Sequence, residues 1–260
     1  MLILADIIIA LILGLSIGSF LNVIIYRLPI NINGNKNINL ISPARSFCPH
    51  CKQTLSVLEL IPIFSFLWQK GKCKYCQMAI SWYYPLIETI STLVSVLIIL
   101  YFGLTIQAGL YLLLVYLLIA LFIIDIKNQL LPDLLTLPLM WVGFLYQMQF
   151  GDLSAGVIGA MSGYLLLWSL YWAFKLLRNK EGMGYGDFKL TAALGAWLGW
   201  QQLPYLLLLA SLFAIGYFLL ATQYKTNQAF AFGPFLISAF VMLQLLSVNM
   251  FSPLQWVMTT

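Results

Sequence analysis

Residues 107–124 read QAGLYLLLVYLLIALFII, an apolar run without a charged side chain, and Asp125 follows it directly. A helix needs roughly 20 residues to cross the ~30 Å hydrocarbon layer of a bilayer, so a run of this length is sufficient once neighbouring residues are included. The sequence therefore predicts a transmembrane helix that ends with an acid at one membrane boundary.

Apolar runs of this kind recur along the whole chain. Of its 260 residues, 62% are hydrophobic and only 8% are charged, too few polar residues to cover a soluble globule. We predict an all-α polytopic membrane protein of about eight spans, at residues 3–25, 83–103, 107–124, 134–150, 155–174, 188–203, 204–222 and 231–250. The first run has no basic start and no small-residue cleavage site, so we expect it to be a retained span and not a removable signal peptide.

The cationic side chains predict the orientation in the membrane, because Lys and Arg are enriched in short cytoplasmic loops. With the N-terminus outside, the inside segments contain all 13 of them: Arg27, Lys36, Arg45, Lys52, Lys70, Lys72, Lys74, Lys127, Lys175, Arg178, Lys180, Lys189 and Lys225. A cytoplasmic face that meets anionic membrane lipid accounts for the net charge of +5, so we expect no nucleic-acid partner.

The chain divides into three predicted segments. They are transmembrane helix 1 (residues 1–26), a cytoplasmic loop (27–81) and a transmembrane core (82–260). The loop begins with an Asn-rich linker at residues 31–39 and changes character at Ser42, where we expect a small domain to start.

All four cysteines lie in this loop, in the two motifs Cys48-Pro-His-Cys51 and Cys73-Lys-Tyr-Cys76, with 21 residues between them. Two C-x-x-C motifs at this separation are typical of a tetrahedral four-cysteine zinc site. The alternatives are two disulfides or a redox couple at Cys48 and Cys51, but a cytoplasmic loop is kept reduced and no redox fold surrounds the motif. The zinc is expected to be structural, because so small a loop cannot be held by core burial alone.

The eight acids of the chain can be weighed one at a time, and two are distinctive. Asp125 ends an apolar run, and Asp187 follows a glycine-rich approach into the short sixth span. Both are predicted at the inner membrane boundary, where ionisable groups are costly and usually mark function. The alternative is that they form ordinary interfacial salt bridges with Lys127 and Lys189, and spacing alone leaves both interpretations open.

A functional pair would work by acid–base chemistry. Two carboxylates within a few ångströms do not both ionise easily, so one retains a proton while the other acts as a base. Such a pair can polarise water for attack on a peptide carbonyl and protonate the leaving amine, as in aspartic proteases. Gly184 and Gly186 would let an extended substrate backbone come close to Asp187, since they carry no side chain.

At this point the motifs resemble a known family, the type IV prepilin peptidases, which are GxGD-type intramembrane aspartic peptidases. The resemblance covers almost the whole chain and depends on several motifs in a fixed order. They are Gly18-Ser-Phe-Leu-Asn22, Tyr26-Arg27-Leu-Pro29, the two cysteine motifs, Tyr84-Pro85 with Glu88, the segment from Asp125 to Pro138, Gly184-Tyr-Gly186-Asp187-Phe-Lys189, and Phe232-Gly-Pro234-Phe235.

The resemblance implies that Asp125 and Asp187 are the catalytic pair, supported by Gly184, Gly186 and Lys189. It implies that Asp133 positions or caps the turn after Pro132. It also implies the substrates, which are type IV prepilins and pseudopilins cut at the cytoplasmic face of the bacterial inner membrane, between a short basic leader and a hydrophobic helix.

Many members of this family also methylate the new N-terminal amine with S-adenosylmethionine, and the resemblance implies the same second activity here. No Rossmann-type G-x-G-x-x-G motif marks a donor site. Glu59 is a candidate for handling the amine or the donor by this interpretation, and a salt bridge within the loop explains it equally well. The sequence does not decide whether Glu88 is a functional or a packing acid.

Two interpretations compete with the peptidase. A membrane thiol-disulfide oxidoreductase would use the Cys48-Pro-His-Cys51 motif and treat the aspartates as structural. A transporter would bind a cation deep in the bilayer through acids on a broken helix, whereas Asp125 and Asp187 are predicted at its inner edge. Preflagellin and signal-peptide peptidases share the aspartate chemistry, but we do not expect the four-cysteine loop in them.

Overall fold

The protein is described here from a computed structural model, which covers residues 2–34, 40, 45–179, 183–220 and 231–247. Some sequence predictions fall outside these residues. They concern most of the Asn-rich linker, the start of the small domain at Ser42, the C-terminal ends of the last two spans, and Lys36, Lys180, Gly182 and Lys225.

Helices dominate the part of the chain that the structure describes. They are α1 (Leu2–Ile32), α2 (Phe64–Trp68), α3 (Tyr83–Phe102), α4 (Ile106–Asn128), α5 (Asp133–Phe150), α6 (Leu153–Arg178), α7 (Tyr185–Leu198), α8 (Leu203–Leu220) and α9 (Gly233–Ser247). Within the same residues, β structure is limited to isolated bridges, Phe47 with Thr54 and Lys72 with Ala79.

Each predicted span overlaps one of these helices, and the all-α class is confirmed. Among the described residues, five helical segments are long and apolar enough to cross a membrane, so the count of eight spans stays a prediction. The five are Leu4–Ile32, Tyr83–Phe102, Ile106–Asn128, Leu153–Arg178 and Trp200–Leu220. A shorter apolar helix covers Gly233–Leu246. These helices are long and apolar, and many of their large hydrophobic side chains are exposed, as expected where they face lipid. The protein is therefore a multi-pass membrane protein.

The helix ends differ from the predicted span ends in two places. α1 was expected to end near residue 25 but continues through Pro29 to Ile32, since hydropathy marks the hydrocarbon boundary and not the end of a helix. α7 ends at Leu198, well before residue 203, because Gly199 adopts φ +77°, a backbone conformation that a helix does not contain. A short 3-10 turn, Trp200–Gln202, then leads into α8.

The chain forms two compact units, residues 1–124 and 125–260. In the first unit α1 packs along α3, and small residues allow the two backbones to approach closely. The Ser91 hydroxyl donates a hydrogen bond to the carbonyl oxygen of Gly14 across this contact, at 3.0 Å. One turn further on, Ser95 and Tyr116 share a hydroxyl–hydroxyl hydrogen bond of 2.6 Å that joins α3 to α4.

In the second unit α7 is the central helix and is buried along nearly all its length. It packs against α5, α6 and α9, so its side chains meet protein where a peripheral helix would meet lipid. Two hydrogen bonds fix its C-terminal end to α5: the Trp197 indole donates to the Leu139 carbonyl at 2.9 Å, and the Gln147 amide donates to the Trp197 carbonyl at 2.7 Å. This burial explains how a 14-residue helix is held inside the unit.

The contact between α6 and α7 depends on two glycines, and we predict that Gly195→Ala destabilises the protein by about 2 kcal/mol or more. A Cβ atom on Gly195 would overlap the Gly159 carbonyl oxygen, which belongs to the backbone and cannot rotate away. Thermal unfolding in detergent would measure the loss. The control is Gly109→Ala in α4, where a Cβ meets nothing within 4 Å, so no loss of stability is expected. Equal unfolding temperatures for the two variants would contradict the prediction.

Candidate active site and metal centre

Asp125 lies near the C-terminal end of α4, one turn before the helix stops. Its carbonyl accepts a hydrogen bond from Gln129, which adopts a left-handed conformation (φ +52°) and turns the chain out of the helix. The side chain is only 4% exposed, and its Oδ2 atom has no hydrogen-bond partner among the described residues. A buried carboxylate oxygen without a partner is costly for folding, so another requirement must keep it there.

Asp187 lies in the first turn of α7, where the positive end of the helix dipole favours an acid. Its side chain is 8% exposed, and its backbone amide donates a hydrogen bond to the Gly184 carbonyl at 3.2 Å. Its carbonyl accepts a hydrogen bond from the Thr191 hydroxyl at 2.8 Å. Phe188, next in the chain, packs against the ring of Tyr171 on α6 and anchors the start of the helix in the core.

The structure brings Asp125 and Asp187 together within the second unit. Leu131 lies beside Gly186, the neighbour of Asp187, and also beside Gly233, whose added Cβ would meet Asp125. The two acids are therefore near enough for the charge of Asp125 to act on Asp187, although 62 residues separate them in the chain. Two buried acids near each other do not both ionise easily, and such a pair can take part in general acid–base chemistry.

Lys189 does not neutralise this pair. Its ammonium group binds both carboxylate oxygens of Asp133, at 2.7 and 2.8 Å, so the salt bridge considered between Lys189 and Asp187 is not formed. Asp133 is the first residue of α5, and Pro132 at the N-cap has no side-chain capping bond. Both side chains of the ion pair are more than a third exposed, so the pair contributes little to the stability of the fold. It does connect the start of α5 with the start of α7.

The glycines near Asp187 have different environments. A Cβ on Gly184 would lie 3.9 Å from the Asp187 Oδ2 atom, an ordinary contact distance at the carboxylate. A Cβ on Gly186 would lie 2.9 Å from the Leu131 side chain, so that glycine makes room for packing within the protein. We expected both glycines to leave room for a substrate backbone beside Asp187. The surroundings of Gly184 are compatible with that role, whereas the absence of a side chain at Gly186 is explained by its close packing against Leu131.

The sequence did not predict that the start of α9 lies beside the aspartate pair. Gly233, the first residue of α9, lies so close to Asp125 that a Cβ would come within 2.5 Å of its Oδ2 atom. The Gly233 backbone amide faces the same carboxylate. The Phe232-Gly-Pro234-Phe235 motif carried the resemblance, but nothing in the local sequence connects it with an acid 108 residues earlier.

The two cysteine motifs adopt the same backbone conformation. In the first, the Cys48 amide donates to the Gln53 carbonyl and the Lys52 amide donates back to Cys48. In the second, the Cys73 amide donates to Met78 and the Gln77 amide donates back to Cys73. Lys52 and Gln77 each follow the second cysteine of a motif and adopt φ near +60° (58° and 59°). The result is two equivalent turns, each presenting two thiols from one short loop.

The four thiols converge on one point, and their Sγ atoms all lie within 4.8 Å of one another. The Sγ atoms of Cys48 and Cys76 are 3.9 Å apart, close to the ~3.8 Å edge that a tetrahedron with zinc–sulfur bonds of about 2.3 Å would have. Hydrogen bonds from backbone amides, that of Cys76 foremost, lower the pKa of the Cys73 thiol to about 7 and favour the thiolate that binds metal. The cluster can hold a metal ion.

This geometry bears on the alternatives considered for the cysteines. All four are free thiols, so the two disulfides considered as an alternative to a zinc site are not formed. A redox couple at Cys48 and Cys51 would not require the other two thiols to converge on it, whereas a tetrahedral metal site requires all four. His50 is exposed and is not part of the cluster.

Glu59 and Glu88 lie in the first unit and are not part of the aspartate site. The Oε2 atom of Glu59 accepts a hydrogen bond from the Ser56 amide at 2.7 Å, and its Oε1 atom is buried without a partner in the described part of the chain. Glu88 is 8% exposed and accepts a hydrogen bond from the Ile63 amide at 2.8 Å. Glu88 thus connects α3 with the loop that contains the cysteines.

Two family models match the chain. The bacterial Peptidase A24 N-terminal domain matches residues 12–102, which include the four cysteines. The type IV leader peptidase family matches residues 112–219, which include Asp125 and Asp187. No solved structure matches the chain.

Curated relatives are similar over most of their length. A prepilin leader peptidase/N-methyltransferase of Aeromonas salmonicida (strain A449) is 49% identical, over 87% of this chain and 86% of the relative. The protein of the same name from Aeromonas hydrophila is 48% identical over the same shares. The one from Pseudomonas aeruginosa is 42% identical over 91% of this chain and 89% of its own.

Proposed function

The chain belongs to the type IV leader peptidase family, and on that premise we propose that it is a membrane-embedded aspartic endopeptidase with Asp125 and Asp187 as its catalytic pair. It cleaves the leader from type IV prepilins and pseudopilins and methylates the new N-terminus with S-adenosylmethionine. The observation that carries the catalytic assignment is the proximity of two buried acids, close enough for their charges to interact, one of which has an oxygen without a hydrogen-bond partner among the described residues.

The arrangement supports the following reaction. One carboxylate, unprotonated, takes a proton from a water molecule as the water oxygen attacks the carbonyl carbon of the scissile peptide bond. The other carboxyl group, protonated, donates its proton to the developing oxyanion. The tetrahedral intermediate then breaks its carbon–nitrogen bond, and the proton gained from water moves to the leaving amine. As it collapses to the carboxylic acid product, one of its hydroxyl groups returns a proton to the second carboxylate. At the end the pair again holds one proton and can begin another cycle.

Two glycines border the acids. A Cβ on Gly184 would meet the Asp187 Oδ2 atom and one on Gly233 would meet the Asp125 Oδ2 atom, so each glycine lies directly beside one carboxylate. The ion pair of Lys189 with Asp133 holds the start of α7 against the start of α5, so these two residues have a positioning role. None of these groups needs to change its protonation state for the acids to exchange protons.

For the membrane arrangement, we propose eight spans with the N-terminus outside and both the cysteine loop and the aspartate pair at the cytoplasmic face of the inner membrane. The distribution of cations supports this orientation. The proposed segments are helix 1 (residues 1–26), the cysteine loop (27–81) and the peptidase core (82–260). No nucleic acid takes part.

For the metal, we propose one structural zinc ion held by Cys48, Cys51, Cys73 and Cys76. The four thiols fit it, because they come from two equivalent turns and converge at a spacing suited to tetrahedral sulfur coordination. When bound, zinc cross-links the two turns and supplies much of the folding energy of the loop. The reaction at the aspartate pair takes no step through it.

Mass spectrometry of a purified prepilin after incubation with the enzyme in detergent tests the function. Release of the leader peptide tests the peptidase, and a methyl group on the new N-terminus, added only with S-adenosylmethionine, tests the methyltransferase. An intact prepilin after prolonged incubation with the folded protein would refute the proposed peptidase.

We predict that Gly233→Ala lowers the cleavage rate by about 10²-fold. The added methyl group would come within 2.5 Å of the Asp125 Oδ2 atom, so the carboxylate or the start of α9 must shift by a substantial part of 1 Å. The control is Gly216→Ala in α8, where a Cβ meets nothing within 4 Å, so cleavage at the wild-type rate is expected. Initial rates of leader release measure both, and unchanged cleavage by Gly233→Ala would show that α9 does not bound the site.

A further inference from the structure

The first unit contains a cavity that the peptidase reaction does not use. It has a volume of about 320 Å³ and lies between α1, α3 and the cysteine loop. This is within the range of roughly 300–1,000 Å³ that is common for small-molecule sites. Four aromatic rings belong to its lining, those of Tyr26, Phe47, Phe66 and Tyr84.

Glu59 and Glu88 also line this cavity, and they have different surroundings. Glu88 is held by the Ile63 amide and lies beside the side chains of Ser19 and Asn22. Glu59 has one oxygen held by the Ser56 amide, while its Oε1 atom is buried and has no hydrogen-bond partner among the residues that the structure describes. Because an unpaired buried carboxylate oxygen is costly, Glu59 is arranged for a positively charged or hydrogen-bond-donating group that enters the cavity.

The backbone between the two acids is strained in a way that supports a built site. Ile63 adopts φ +61°, which a β-branched residue rarely does, and its amide donates to Glu88 in that conformation. Strain of this kind persists where the surroundings fix it and is common at ligand sites. Glu59 lies four residues before Ile63. The hydrogen bond from Ile63 to Glu88 therefore also positions the segment that carries Glu59.

We infer that this cavity is the methyl-transfer site, which binds the sulfonium methyl donor against its aromatic wall and receives the new N-terminal amine at Glu59. The inference rests on the proposed function. A sulfonium is a cation, and aromatic faces attract cations. An N-terminal ammonium group is both cationic and a hydrogen-bond donor, which matches the free oxygen of Glu59.

The transfer balances with these two ligands alone. The ammonium group of the cleaved protein gives a proton to the Glu59 carboxylate and becomes a neutral amine. The amine nitrogen then forms a bond to the donor methyl carbon as the carbon–sulfur bond breaks, and the electron pair of that bond stays on sulfur as a neutral thioether. The product is a methylated ammonium, and the proton on Glu59 leaves to solvent. Glu88 is a positioning residue that does not touch either ligand.

The test uses full-length protein with Glu59→Gln, Val23→Trp or the matched control Asp6→Asn, an acid-to-amide change outside the cavity. Val23 lines the cavity from α1, so a tryptophan there fills it. Three quantities are measured in detergent: leader cleavage, methylation of the cleaved product, and binding of S-adenosylmethionine by titration calorimetry without prepilin. Cleavage at the wild-type rate reports that the proposed peptidase is intact, and one bound zinc ion per chain, by elemental analysis, reports that the cysteine loop beside the cavity is folded.

Glu59→Gln is expected to keep donor binding and cleavage but to methylate about 10²-fold more slowly. Val23→Trp is expected to weaken donor binding at least tenfold and to keep cleavage, and Asp6→Asn is expected to match the wild type. Wild-type donor binding by Val23→Trp, or wild-type methylation by Glu59→Gln, would overturn the inference and leave the peptidase standing. Equal loss of cleavage and methylation in Val23→Trp would show that the cavity holds the prepilin and would also overturn it. Absence of cleavage by the wild type would instead refute the proposed function.

Discussion

Asp125→Asn and Asp187→Asn are each expected to abolish leader cleavage, with a loss in kcat of about 10³-fold or more. Asparagine keeps the shape of aspartate but can neither take a proton from water nor return one to the leaving amine. Because the two acids act as one unit, the double variant is expected to be no slower than either single variant. Leader release from a purified prepilin in detergent, followed by mass spectrometry, measures all three.

The controls separate loss of chemistry from loss of folding. Both aspartates are buried, so each variant must show the thermal unfolding profile of the wild type before its rate is interpreted. Asp6→Asn makes the same chemical change outside the second unit and is expected to cleave normally. Each Asp→Asn variant is also expected to methylate a product supplied already cleaved. If either one still cleaves within tenfold of the wild-type rate, that aspartate is not catalytic.

The sequence predicted the helices better than their ends. Hydropathy located α1, α3 and α4 because each must match the thickness of a hydrocarbon layer, which composition reports directly. It did not predict that α1 continues to Ile32 or that α7 stops at Leu198. These ends depend on the local backbone, such as the positive φ of Gly199, and on contacts with helices distant in the sequence.

The aspartate site could be predicted in part. Asp125 and Asp187 are conspicuous because acids beside apolar runs are rare, and few other acids compete with them. The contact of Gly233 with Asp125 was not predicted, since it is a tertiary contact between α4 and α9 that leaves no periodic signal. The sequence also could not predict which acid pairs with Lys189, because a lysine at the start of α7 could reach either Asp133 or Asp187.

For the cysteine motifs, too, the sequence predicted some features of the site and not others. Their spacing predicted the cluster, because a C-x-x-C turn brings two thiols to one metal and two such turns complete a tetrahedron. The left-handed backbone at Lys52 and Gln77 could not be predicted, since that conformation usually selects glycine or asparagine. Hydrogen bonds of the turns impose it here, and the same bonds recur in both motifs.

Removal of the metal is the second prediction with a large expected effect. The double variant Cys48→Ser with Cys51→Ser is expected to lose its zinc, from one ion per chain to none, and its cysteine loop is expected to unfold. Between residues 45 and 81, all of which the structure describes, few apolar side chains are buried, Phe66 among them. Structural zinc contributes about 10–16 kcal/mol in small zinc domains. Elemental analysis measures the metal, and protease cleavage within residues 45–81 reports the unfolding.

The two activities are expected to respond differently to this loss. Cys48 and Cys73 line the cavity beside Glu59, so methylation should fall to background when the loop unfolds. The aspartate pair belongs to the second unit, so leader cleavage should fall less. His50→Ala is the control for the metal, because His50 lies between the cysteines but outside the cluster, and it is expected to retain one zinc. Equal loss of cleavage and methylation in the double variant would contradict this division, because the loop would then be needed for the peptidase as much as for methyl transfer.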